Sequence, residues 1–143
     1  MRPPEGVKRG FVVQWIRSAD GDLAAAKHLL GGGAEFVRGA AFHAQQAVEK
    51  FLKAVLVWHQ VEFPKTHDIG RLTDLLKTVD SGLANRVGEA SVLTPYAVEA
   101  RYPSDLPEPT LAEAREALSI ATRVRDAVRR ELAPVLGPDK REV

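Results

Sequence analysis

Apolar positions recur at helical spacing along almost the whole chain. Val12, Ile16, Ala19, Leu23, Ala26 and Leu30 stand three or four residues apart, one stripe on a helix. Gly31-Gly32-Gly33 stops it, because glycine favours the helix end and the turn beyond. Val37, Ala41, Ala44, Val48, Phe51, Val55 and Trp58 then alternate steps of four and three without a slip. That predicts a helix of roughly 25 residues with a long buried seam, and Pro64 bounds the loop after it. A shorter helix is expected from about Thr66, capped by that residue, with Asp68 in its first turn and Ile69, Leu72, Leu76 and Val79 inward. Asp80-Ser81-Gly82 breaks it, and 83–90 reads as another short helical piece. Thr94-Pro95 reads as N-cap and first residue of a brief helix to about Ala100. Pro103, Pro107 and Pro109 enforce a loop. Thr110-x-x-Glu113 is a capping box before a last stripe of Leu111, Ala114, Leu118, Ala121, Val124, Val128 and Leu132. Pro134, Gly137 and Pro138 end that helix.

No strand-like alternation of useful length and no internal repeat occur. The expected fold class is therefore all-α, an antiparallel up-and-down helical bundle of about five helices. Residues 1–10 read as an N-terminal extension, 11–133 as the bundle and 134–143 as a tail. Trp15, Phe42 and Trp58 lie beside or at the ends of the stripes. They are expected either to anchor a homodimer interface or to cap the monomer's core.

Composition narrows the chemistry. At 143 residues the chain suits one domain. It has no cysteine, which removes disulfides, thiolate metal sites, iron–sulfur clusters and a thiol nucleophile. Its 20 basic and 19 acidic residues leave a net charge of +1, so no global field draws nucleic acid and any anion site must be local. The longest strongly apolar run, 54–58, is far short of a membrane span. The first residues lack the apolar core of a secretory signal, so the expected location is cytoplasmic. His28, His43, His59 and His67 form no i,i+4 pair, so neither a metal nor a cofactor is expected, and no phosphate-binding glycine loop is present.

Local candidates remain. His43, Gln46, Lys50 and Lys53 are spaced three, four and three and share one side of the second helix. Glu49 lies beside them and can pair with Lys53. Two lysines, an imidazole and an amide in a row could hold a phosphate and read a base edge; the same spacing also fits a solvated face with ordinary ion pairs. Lys65 and His67 sit at an expected helix start, where free N–H groups attract anions or are simply capped. Arg101 and Tyr102 could contact phosphate and stack on a base, or pack on the bundle. Arg38 and His43 could support RNA cleavage, but five residues on a straight helix put them about 140° apart.

Four blocks together carry a family resemblance, the central one the most specific and the others corroborating it through their order. Trp15-x3-Ala19-x2-Asp22-Leu23-x2-Ala26-x2-Leu29-Leu30 resembles the first helix of the HEPN domain (higher eukaryotes and prokaryotes nucleotide-binding). The run from Phe42 through Gln45-Gln46-Ala47-Val48-Glu49-Lys50-Phe51-Leu52-Lys53-Ala54 resembles its central signature. Pro64-Lys65-Thr66-His67-Asp68-Ile69-x2-Leu72 is similar to its third block, and Leu93-Thr94-x-Tyr96-x4-Arg101-Tyr102-Pro103 to its fourth. The resemblance implies a bundle of about five helices, commonly a homodimer. It also implies nucleotide or RNA binding and pairing with a small nucleotidyltransferase in toxin–antitoxin-like modules. Ribonuclease members carry Arg-x4-6-His near the penultimate or last helix. Here no histidine follows His67, and Arg38-x4-His43 fits the formula only at the start of the signature helix.

Three functions are therefore weighed. The first is a nucleotide-binding module using His43, Gln46, Glu49, Lys50, Lys53, Lys65, His67, Arg101 and Tyr102. The second is a metal-independent ribonuclease using Arg38 and His43. The third is a dimeric interaction domain in which Gln46 and Glu49 are buried and bonded.

Overall fold

A computed structural model describes residues 4–97 and 108–137. Helix α1 spans Glu5–Leu30, beginning two turns before the Val12 stripe, because nothing in residues 5–11 interrupts it after Pro4. Residues 5–10 are thus helical and continuous with the bundle. The glycine break works through backbone and space: Gly33 has φ 109°, a value side chains rarely permit, and a Cβ on Gly32 would stand 2.7 Å from the Phe36 ring. A single 3-10 turn, Ala34–Phe36, leads into α2, Val37–Trp58.

Helix α2 is the middle of the molecule. It packs most extensively on α1, then on α5 (Leu111–Glu131), and is also covered by α3 (Ile69–Lys77) and the 3-10 run Gly88–Ala97. Ala44, Val48, Phe51 and Val55 of the expected seam are buried, and so are Ala47, Leu52, Ala54 and Leu56 on its flanks. Helices α4 (Ser81–Val87) and α6 (Ala133–Leu136) complete an all-helical bundle. No strand occurs among the described residues.

Several boundaries differ from the sequence expectation. Helix α3 starts at Ile69, not near Thr66: Asp68 is the cap and accepts from the Arg71 N–H. Thr66 Oγ1 instead accepts from the Asp68 N–H, shaping the turn before the helix. Thr94 does not open a helix of its own; its Oγ1 accepts the Ile69 N–H across 25 residues, inside the 3-10 run. The capping box forms with both bonds, Glu113 N–H to Thr110 Oγ1 at 3.0 Å and Thr110 N–H to Glu113 Oε1 at 2.9 Å. Val135 on α6 is buried, so 133–136 are part of the packed body. Trp15 and Trp58 are half-buried against the core, Trp15 edge-on to Phe63 and Trp58 under the Lys8 ammonium. Among the described residues the most exposed large apolar side chains are elsewhere, with Val92, Phe11 and Val7 leading.

Candidate functional site

The polar side of α2 is organised around two carboxylates. Asp22 on α1 receives Lys50 Nζ on one oxygen at 2.6 Å and meets His43 Nδ1 with the other at 2.8 Å. Glu49 on α2 repeats the pattern, with Lys53 Nζ on Oε1 at 2.6 Å and His67 Nδ1 on Oε2 at 3.0 Å. Gln46 belongs to the Glu49 set: its Nε2 donates to Gln45 Oε1 at 2.6 Å and to Glu49 Oε2 at 3.3 Å. Gln45 is fully buried and donates to Glu49 Oε2 and to the His67 backbone carbonyl at 3.0 Å. The loop before α3 is thereby fastened to α2 through both the ring and the backbone of His67.

Exposure divides the row. The Glu49 and Lys53 side chains are 5% and 10% exposed, whereas that of His67 is 67% exposed. His43 and Lys50 are half-buried. Lys53 lies 5.7 Å from the centres of the Trp15 and Phe63 rings, so an apolar wall closes over the buried pair. Burial penalises both charges, so close pairing and full hydrogen bonding are required to keep such a pair ionised. Burial pushes the Glu49 carboxyl up, but hydrogen bonds and attraction from Lys53 and His67 outweigh it and hold the group below 4.5.

The sign of the pH effect follows. The folded state holds the ionised carboxyl more tightly than the unfolded chain does. That stabilisation is complete above the unfolded value and drains away as pH falls through the lowered folded value. Urea midpoints of the parent chain are expected to fall as pH drops below 4.5, and a Glu49→Gln chain, though less stable, should show a shallower fall there. Parallel slopes would show that Glu49 is not a source of acid lability.

The other predicted residues are placed as follows. Arg38 faces Glu108 at 3.8 Å, while His43 faces Asp22, so the two are turned to different acids on different segments. Lys65 is exposed on the loop with His67. Three N–H groups at the α3 start are engaged: Ile69 with Thr94, Arg71 with the Asp68 side chain and Leu72 with the Asp68 carbonyl. Arg101 and Tyr102 lie outside the described residues. Among the described residues no group of three histidine or acidic side chains is gathered to hold a metal.

Three participants escaped the sequence reading. Asp22 stands in the block that resembles the family's first helix, but nothing local names its partners, which lie 21 and 28 residues away. Gln45 did give one: Ala41, Val48 and Leu52 flank it at helical spacing, and all three are buried. Asp20 likewise stands between Ile16 and Leu23 in the α1 stripe; buried, it binds Arg129 at 2.7 Å and Arg125 at 3.4 Å on α5.

A helical bundle with a carboxylate-ordered Gln-Gln-x-x-Glu-Lys face defines the class. The model of the HEPN domain family matches residues 12–131, and the chain belongs to that family. It is similar to the crystal structure of TT1696 from Thermus thermophilus, with 30% identity, a TM-score of 0.67 and coverage of 85% of this chain and 98% of that one. It is also similar to ST0689, described as an archaeal HEPN homologue, with 25% identity, a TM-score of 0.65 and coverage of 85% and 97%. No curated protein matches the chain. No described helix is long and apolar enough to cross a membrane.

Proposed function

We propose that the chain is a nucleotide-binding HEPN module that takes a phosphorylated ligand on the α2 face, works as a homodimer, and acts with a small nucleotidyltransferase in a toxin–antitoxin-like pair. The observation that carries this reading is the pair of carboxylate-centred sets. Asp22 and Glu49 each fix a lysine and an imidazole, and His43, Lys50 and His67 retain surface exposure. Gln45, Glu49 and Lys53 serve as the buried frame, and His43, Gln46, Lys50, Lys65 and His67 as the contact groups; Arg101 and Tyr102 are assigned to the same ligand on the family resemblance. Orientation by prior bonding lowers the entropic cost of binding.

Thermal unfolding with ATP and other nucleotides tests it. At a hundredfold excess over Kd the folded state gains about 2.7 kcal/mol, which for this chain length raises Tm by roughly 5–10 °C. No shift with any nucleotide, alone or beside a co-purified nucleotidyltransferase, would remove the reading. The interaction-domain reading, which expects Gln46 and Glu49 buried and bonded, is favoured by the burial of Glu49; Gln46 is bonded but only half-buried. The ribonuclease reading has the least support, because Arg38 and His43 face separate acids.

A further inference from the structure

We propose that the imidazoles of His43 and His67, rather than the lysines beside them, supply the charge that captures phosphate, so that binding at this face takes up protons. This rests on the nucleotide-binding reading and adds its regulation. Lys50 and Lys53 each lie 2.6 Å from a carboxylate oxygen, so each ammonium is cancelled by its own acid. The remaining oxygen of each acid meets a histidine Nδ1. A carboxylate only accepts, so each Nδ1 carries its hydrogen and Nε2 is the nitrogen left for a ligand.

In the neutral ring Nε2 is a lone pair, which repels a phosphate oxygen. With a second proton it becomes a charged donor. Asp22, Glu49, Lys50 and Lys53 sum to zero, and the two imidazoles alone can carry the set to +2. The other groups around the rings leave that balance unchanged. Gln45 and Gln46 are neutral amides, Phe42 meets His43 edge-on, Trp15 and Phe63 flank Lys53, and Lys65 and Asp68 beside His67 offset each other. Histidine is the side chain that gains charge between about pH 5 and 8, so anion affinity at this face rises as pH falls.

Calorimetric titration of the full chain with trimetaphosphate, whose own charge is constant between about pH 6 and 8, tests this. Affinity should be at least about tenfold tighter at the lower pH, and the heat should vary with the buffer's ionisation enthalpy, as proton uptake requires. His43→Asn and His67→Asn keep an amide donor at the Nδ1 position for Asp22 and Glu49 without a titrating ring, and circular dichroism verifies their fold. Each should lose part of the pH dependence and the double variant all of it. Equal affinity at the two pH values, heat independent of buffer, or full pH dependence in the double variant overturns the proposal while ATP binding leaves the nucleotide reading intact. Binding of ATP but never of trimetaphosphate overturns it too. Binding of neither at either pH overturns both.

Discussion

Alanine at Phe51 is expected to cost about 3–5 kcal/mol of folding stability, read as a lower urea midpoint at unchanged slope. The ring is fully buried on the helix that α1, α3, α5 and the 88–97 run all cover. Truncation removes an aromatic side chain and leaves a void that helices on several sides keep from collapsing, so transfer and cavity costs add. Val79→Ala, at a 38% exposed position of similar apolar character, serves as the comparison and should stay within about 0.5 kcal/mol. A Phe51→Ala loss under about 1 kcal/mol would show that α2 is not the packed centre of the bundle.

Glu49→Ala is the second large effect, expected at about 3–5 kcal/mol. The carboxylate is the common acceptor for Lys53, Gln45, Gln46 and His67. Its removal strands a buried ammonium under Trp15 and Phe63 and releases the ring end of the His67 loop. Much of the cost is the penalty of the unpaired cation, not the worth of the pair. Glu49→Ala with Lys53→Met should therefore be more stable than Glu49→Ala alone, with a coupling of about 1–3 kcal/mol in a double-mutant cycle. A double variant no better than the single one would place the loss in the amides and His67 instead. Nucleotide binding should weaken in both, because His67 loses its anchor in each.

The site was legible in detail only along one helix, with His67 named beyond it but without its partner. The spacing of His43, Gln46, Lys50 and Lys53 named the face, and the i,i+4 relation named the Glu49–Lys53 pair, which forms at 2.6 Å. The spacing gave Lys53 a partner in Glu49 but named none for Lys50. The structure gives each of them a carboxylate, and that changes what the face can bind. Asp22 could not be joined to His43 and Lys50 from the sequence, because nothing local relates residues 21 and 28 positions apart.

By itself the sequence determined the long helices and the inward side of α1 and α2, though Val79 and Leu111, expected inward, are exposed. Periodicity is a local record of a one-sided environment, so Val12 to Ala26 on α1 and Ala44 to Val55 on α2 could be read as stripes and are buried. Tertiary structure decided how many sides are covered and which charges meet. Leu52 and Leu56 are buried because α2 is enclosed by several elements at once, a fact no single-helix period contains. Asp20 reaches Arg129 across 109 residues, and Asp22, two positions on and about 200° around α1, reaches α2 instead. Those partners are fixed by the packing of whole helices, which brings distant residues together only after every local stripe has found its place.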